Sequence, residues 1–274
     1  MFYDCQVMTT QAQQATRLLE LHHAATPLIL INAWDAASAA MVAHCGLPAV
    51  ASSSAALANA LGFPDGQHLP WPQMLAAVQS IVRAVSVPVT ADIESGFAAT
   101  AQELETTISQ IIDAGAVGVN LEDAQPGQDA RGPLFPLAEQ IARIQAARRA
   151  ADAQKIHLVI NARTDAYWQA GVSPAEALRN TLERGKAYMS AGADCIFVPG
   201  LRNPDHIKTL IDHLRTIPAD ANPHANPHAP VNILAGPDVP SIPELTKLGV
   251  KRVSYGSGPH RAAMGLLRRI ATEA

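Results

Sequence analysis

Apolar residues along this chain gather in short continuous runs, each followed by a polar or glycine-containing segment and then by a stretch with helical spacing. Eight runs read as strands: 28–34, 49–53, 87–93, 117–122, 157–163, 195–199, 231–235 and 252–256. The stretches between and after them are amphipathic and read as helices: 36–44, 71–84, 101–114, 137–151, 174–191, 205–214, 242–248 and 260–272. A helical extension over about 1–26 precedes the first unit. Continuous rather than alternating hydrophobicity means that both faces of the strands are covered, as in a parallel sheet flanked by helices. An open doubly wound sheet and a closed barrel both meet that condition. Eight units, a length of 274 residues, and no Gly-x-Gly-x-x-Gly turn after the first strand favour an α/β fold of the (β/α)8 TIM-barrel type, one domain over 1–274. Gly115, Gly192 and Gly249 each read as the left-handed end of a helix, with a strand two or three residues further on.

Composition narrows the function. Hydrophobic residues make up 48% and charged residues 16%, a folded rather than a disordered composition. Lys plus Arg is 20 against 24 for Asp plus Glu, a net charge of −4, which leaves no basic surplus for nucleic-acid phosphates. Cys5, Cys45 and Cys195 lack metal-ligand spacing, and the N-terminus shows no basic stretch leading into an apolar run; both favour a reducing, cytoplasmic setting. Apolar stretches are interrupted well before roughly 18 residues, so no membrane-spanning helix is expected. The segment 218–230, with its repeated Ala-Asn-Pro-His, reads as a loop, and His224 and His228 within it as solvated residues without an acidic or sulfur partner.

On a barrel, chemistry sits at the carboxyl ends of the strands. Those ends are acidic here: Asp35 after the first strand, Asp92 and Glu94 at the third, Glu122 and Asp123 at the fourth, and Asp165 after the fifth. Asp92 and Glu94 are two apart and would project to one side of an extended chain, with Glu122 on the neighbouring strand. Three carboxylates in one cleft repel one another unless a hard cation with oxygen ligands and retained waters joins them, so Mg²⁺ or Mn²⁺ is expected at Asp92, Glu94 and Glu122. Helix caps and ion pairs are the other explanation, with equal weight for Asp35 and Asp123. Arg163, ending the fifth strand, suits a substrate carboxylate, or a salt bridge to Asp165 or Glu122, and the two are compatible.

Six spaced segments carry a resemblance: 32–39 (Asn-Ala-Trp-Asp-Ala-Ala-Ser-Ala), 52–54 (Ser-Ser-Ser) leading to 61–66 (Leu-Gly-Phe-Pro-Asp-Gly), 91–97 (Ala-Asp-Ile-Glu-Ser-Gly-Phe), 119–123 (Val-Asn-Leu-Glu-Asp), 161–165 (Asn-Ala-Arg-Thr-Asp) and 197–200 (Phe-Val-Pro-Gly). In this order they resemble the isocitrate lyase and phosphoenolpyruvate mutase superfamily, from about residue 28 to 263. The resemblance implies a barrel that uses Mg²⁺ to bind a 2-oxo acid or related carboxylate through an enolate-like intermediate. It implies that Asp92, Glu94 and Glu122 hold the metal, directly or through water. It further implies that Ser53 and the amide of Ser54 receive the substrate carboxylate, that Asp65 approaches the metal shell, and that Arg163 steadies the substrate. Trp34 and Asn232 complete the expected substrate-binding set, and Glu122 and Asp65 join Arg163 as expected catalytic groups.

Two departures bear on the reaction. Lyases of this superfamily resemble one another in a lid carrying Lys-x-Cys-Gly or Lys-x-Cys-Ser after the fourth strand, whereas residues 125–134 here contain neither lysine nor cysteine. That argues against ordinary isocitrate or methylisocitrate cleavage and leaves Asp129, Arg131 or a metal-bound water as the candidates for proton transfer. The mutases look to have histidine where Pro199 stands. The favoured reading is a carbon–carbon lyase or hydrolase. The alternatives are a phosphonopyruvate- or phosphoenolpyruvate-type mutase or hydrolase, a Mg²⁺-dependent pyruvate aldolase, and a barrel that binds a carboxylate without turning it over. A Schiff-base aldolase is excluded because Lys155, Lys186, Lys208, Lys247 and Lys251 all read as helical or as preceding a strand. The expected partners are a small carboxylate and further copies of the chain, as a dimer or tetramer.

Overall fold

A computed structural model describes residues 9–127, 132–218 and 230–274. Cys5, Asp129, Arg131, His224 and His228 lie outside them. The described residues open with helix α1 (Gln11–His23) and continue with β1 (Leu28–Leu30), β2 (Asn32–Ala33), α2 (Ala36–His44), β3 (Val50–Ser52), α3 (Ser54–Ala60) and α4 (Trp71–Ala84). Next come β4 (Val89–Asp92), α5 (Ala101–Asp113), β5 (Gly118–Glu122), α6 (Leu137–Ala153), β6 (Val159–Arg163) and α7 (Pro174–Ser190). The chain ends with β7 (Cys195–Phe197), α8 (Pro204–Leu214), β8 (Val231–Leu234), α9 (Ile242–Leu248), β9 (Arg252–Ser254) and α10 (Gly258–Glu273).

Among the described residues these strands pair in parallel, in the order β1-β9-β8-β7-β6-β5-β4-β3-β2. The first predicted strand is interrupted at Ile31, so that β1 pairs with β9 and β2 with β3. The two pieces of this one run therefore close the ring, and the eight predicted strands form a (β/α)8 barrel. Outward-facing residues such as Val119, Leu121, Ile160, Ile196 and Val253 pack with the helices in the main core. The predicted helix-ending glycines have positive φ of 94° (Gly115), 113° (Gly192) and 97° (Gly249), and a strand starts three residues after each. Helix α3 was not expected, because its Ser-Ala-Ala-Leu-Ala-Asn-Ala sequence offers almost no apolar–polar contrast.

The extension places α1 beneath the barrel. Leu18 joins Leu28, Leu30, Ala49, Ala51, Val117 and Val159 in a small apolar cluster at the amino ends of the strands. Gly118 makes room for it, since a Cβ there would come 2.8 Å from Leu18 Cδ2 and 3.0 Å from Thr90 Oγ1. Lys251 Nζ donates to the Ala24 carbonyl at 2.8 Å and ties the end of α1 to the start of β9. No helix among the described residues is long and apolar enough to cross a membrane.

Candidate active site

The carboxyl ends of the strands surround a cavity of about 360 Å³ whose wall includes Asp65, Asp92, Glu94, Glu122 and Arg163. Asp92 ends β4. Its Oδ2 accepts hydrogen bonds from the Ser54 amide (3.0 Å) and hydroxyl (2.9 Å), and its own amide donates to Ser52 Oγ at 2.8 Å. Asp92 Oδ1 is buried and has no partner in the protein.

Glu94 reaches the same cavity by a route the alternation argument does not describe. Its φ is +51°, so Asp92 and Glu94 do not share one extended strand; the chain turns left-handed after β4 and swings Glu94 inward. Gln67, itself at φ +63°, holds the turn: its amide donates to Glu94 Oε2 at 2.6 Å and its Oε1 accepts from the Phe97 amide at 2.7 Å. Glu94 Oε1 is left buried and unpartnered. Such strained non-glycine conformations persist where surrounding bonds over-determine them.

Glu122 and Arg163 end the adjacent strands β5 and β6 and face each other across one register step, with Oε2 2.7 Å from Nη1. Asp165 takes the other edge of the guanidinium, at 2.6 Å from Nε and 2.8 Å from Nη2. Trp168 and Phe197 flank the same group, with ring centroids 5.0 and 5.9 Å from its carbon. Burial pushes the Glu122 carboxyl well above its usual range, against the opposing pull of Arg163. Burial disfavours the Arg163 charge as well, yet Asp165 and Glu122 hold its pKa above the ordinary value. Both salt bridges expected for Arg163 are thus present. Asp65 is also raised, by burial and then by the charge of Asp92.

Other predicted residues land elsewhere. Trp34 is not part of the cavity wall; it sits where the chain turns into α2 and packs edge-on against His260, ring centroids 5.1 Å apart. Asn232 is fully buried and off the wall, its amide engaged with Ser254 Oγ at 3.2 and 3.3 Å. Ser53 and Ser54 do line the cavity, but the Ser54 amide is committed to Asp92, and Ser53 Oγ caps α3 by accepting from Ala56 at 3.4 Å. Asp35 caps α2 through the Ser38 amide at 2.7 Å. Asp123 is structural: it accepts from the Asp165 amide (3.0 Å), Tyr188 (2.7 Å) and Arg184 (3.2 Å), and so supports the residue that clasps Arg163.

The wall also contains Trp168, Leu234, Tyr255, Ser257 and Arg261, for which the sequence reading assigned no role. Tyr255 and Ser257 follow the last strand and could have been found by the strand-end rule; the Gln67 clamp left no sequence signal. Among the described residues no three His, Cys, Asp or Glu side chains approach closely enough to enclose a metal by themselves. The donor set instead offers two unpartnered buried oxygens, Asp92 Oδ1 and Glu94 Oε1, on a wall shared with Glu122. That suits a hard cation that keeps several of its waters.

A family model described as phosphoenolpyruvate phosphomutase matches residues 18–274. The 2,3-dimethylmalate lyase of Eubacterium barkeri is 31% identical over 202 residues, 72% of this chain and 66% of that protein. A crystal structure from Burkholderia cenocepacia J2315, provisionally named a phosphonomutase, superposes with a TM-score of 0.85 at 38% identity, covering 96% of this chain and 99% of that one. A phosphonopyruvate hydrolase crystallised with oxalate and Mg²⁺ superposes with a TM-score of 0.77 at 26% identity, covering 95% and 86%. With its barrel, its acidic strand ends and a family match over nearly its whole length, the chain belongs to the phosphoenolpyruvate phosphomutase family of the isocitrate lyase and phosphoenolpyruvate mutase superfamily.

Proposed function

We propose that this barrel binds a small 2-oxo acid, or a related carboxylate, together with Mg²⁺ or Mn²⁺, and breaks a bond beside the carbonyl through an enolate-like intermediate, as a carbon–carbon lyase or hydrolase. The observation that carries this reading is the pair of buried, unpartnered oxygens of Asp92 and Glu94 on a cavity wall shared with Glu122, Asp65 and Arg163. Asp92, Glu94 and Glu122 would hold the cation, in part through water; when bound, it supplies Lewis-acid polarisation of the substrate's oxygens.

The protein's own groups do the rest. Ser54 holds Asp92 in place, and Gln67 does the same for Glu94. Arg163, fixed by Asp165 and Glu122, sets a cationic plane beside the cavity where negative charge on the substrate is stabilised. Trp168, Phe197 and Leu234 form an apolar flank against which the carbon skeleton of the substrate packs. With no lysine or cysteine between 125 and 134, the reading favours a carbanionic product that takes its proton from solvent.

The test is an NMR screen of oxaloacetate, phosphonopyruvate, methylisocitrate, dimethylmalate and pyruvate with Mg²⁺, following cleavage and deuterium uptake. Cleavage of a carbon–carbon bond in one of them is the expected result. Phosphorus–carbon cleavage alone moves the protein to the phosphonopyruvate class, and tight Mg²⁺-dependent oxalate binding without turnover or methyl exchange makes it a binding barrel.

A pH effect follows from Glu94. Burial first, then the charges of Asp65 and Asp92, raise its carboxyl to about 8 in the metal-free protein. The folded state keeps this proton to about pH 8, whereas the unfolded state loses it near 4.5. The contribution of this group to stability is therefore complete below about 4.5 and is lost as pH rises through 8. A cation ligated here must displace the proton. The thermal shift caused by Mg²⁺ should consequently grow from pH 6 to pH 8.5, in scanning fluorimetry at fixed Mg²⁺; a shift independent of pH would place the cation elsewhere.

A further inference from the structure

The interior of the barrel beneath the cavity is polar where branched aliphatic side chains are usual. Arg252, the first residue of β9, is fully buried there and has no carboxylate within ion-pair distance among the described residues. Its guanidinium is held between two neutral groups. Below it, His22 of α1 donates from Nδ1 to the Leu18 carbonyl at 2.8 Å, which leaves Nε2 as an acceptor 3.4 Å from Arg252 Nη1. Burial and the charge of Arg252 lower the His22 pKa to about 3, so the imidazole stays neutral. Above it, Arg252 Nη2 donates to Asn120 Oδ1 at 3.1 Å.

That bond decides which way the Asn120 amide faces. Arginine only donates, so the atom it meets is the oxygen, and Asn161 Nδ2 donates to the same oxygen at 2.6 Å. Asn120 Nδ2 then has no acceptor among the described residues and is not sealed from the cavity that Asn120 lines. In register, Asn120 lies beside Asp92, and it stands two residues before Glu122, the next position on the same face of β5. An amide donor is thereby presented at the cavity floor between the carboxylates, backed by a buried positive charge.

We infer that Asn120 donates a hydrogen bond to the substrate oxygen on which negative charge builds as the bond beside the carbonyl breaks, and that Arg252 is the positioning residue that aims and polarises it. This rests on the 2-oxo acid reading above. A donor fixed before the reaction costs no reorganisation when charge appears, and the removal of one such donor lowers kcat by roughly 10² to 10³-fold. Neither residue needs to change protonation, and no bond to either forms or breaks.

Asn120→Asp separates this role from a structural one. The new carboxylate gives Arg252 the counter-charge it lacks, so the melting temperature should hold or rise, while the cavity loses its donor and kcat falls at least about 100-fold with KM changed far less. Arg252→Met should lower kcat in an Asn120-dependent way: the double variant Asn120→Ala/Arg252→Met should be no slower than Asn120→Ala alone. Wild-type kcat in Asn120→Asp overturns the inference, and losses that multiply in the double variant remove Arg252 from it. If Arg252→Met does not fold, Arg252→Lys, which keeps a charge but not the two-sided reach, takes its place and should show the same dependence on Asn120. A wild-type protein that neither binds oxalate with Mg²⁺ nor turns over any compound of the screen defeats the functional reading and this inference with it, whereas an active wild type matched by Asn120→Asp defeats this inference alone.

Discussion

Asp92→Ala should lower Mg²⁺-dependent turnover by three orders of magnitude or more, about 4 kcal/mol of transition-state stabilisation, while leaving the barrel folded. Asp92 is fixed by two bonds from Ser54 to Oδ2, which leaves Oδ1 free toward the cavity it lines. Its removal has opposing effects on stability. The Ser54 amide loses its acceptor, a cost of about 1–3 kcal/mol, and the crowding of Asp65, Glu94 and Glu122 is relieved. The melting temperature should therefore move by only a few degrees, and Mg²⁺ should no longer raise it. Full turnover by this variant would refute the assignment of the carboxylates.

The largest loss of stability is expected at the opposite end of the barrel, from Asp194→Ala. Asp194 is fully buried just before β7 and joins three pieces of the chain: Oδ2 accepts from Arg148 of α6 and from the Ile160 amide, both at 2.7 Å, and Oδ1 meets His157 Nε2 at 2.8 Å. Truncation leaves the Arg148 guanidinium buried without its counter-charge, a defect worth about 3–5 kcal/mol, or roughly 6–20 °C in melting temperature. Burial alone would raise the Asp194 carboxyl, but Arg148, His157 and the Ile160 amide outweigh it and hold the pKa below the usual range. A depressed carboxylate contributes stability above its unfolded pKa, near 4, that is lost as pH falls through the folded value. Asp194→Ala should accordingly flatten the decline in stability below about pH 4. An unchanged thermal midpoint, or an unchanged acid limb, would show that the cluster is dispensable.

The barrel was legible because its strands are buried on both sides and so write themselves as unbroken apolar runs. Helices 36–44, 71–84 and 242–248 emerge with the bounds predicted from spacing. Asp92, Glu94, Glu122 and Arg163 were legible as strand-end residues, and all four share one cavity. What stayed hidden depends on single dihedrals and on competition for hydrogen bonds. The break at Ile31 and the left-handed turn at Glu94 are backbone events that side-chain polarity does not announce. Trp34 and Asn232 stood at plausible positions, but each found a nearer partner, His260 and Ser254, than the cavity could offer. Arg252 reads in the sequence as the opening residue of the last strand, and only the closed ring shows that its side chain is buried.

Helix α1 stoppers the barrel with Leu18 set into the gap at Gly118. Among the described residues the barrel is packed shut at that end, so the cavity's access lies at the carboxyl ends of the strands.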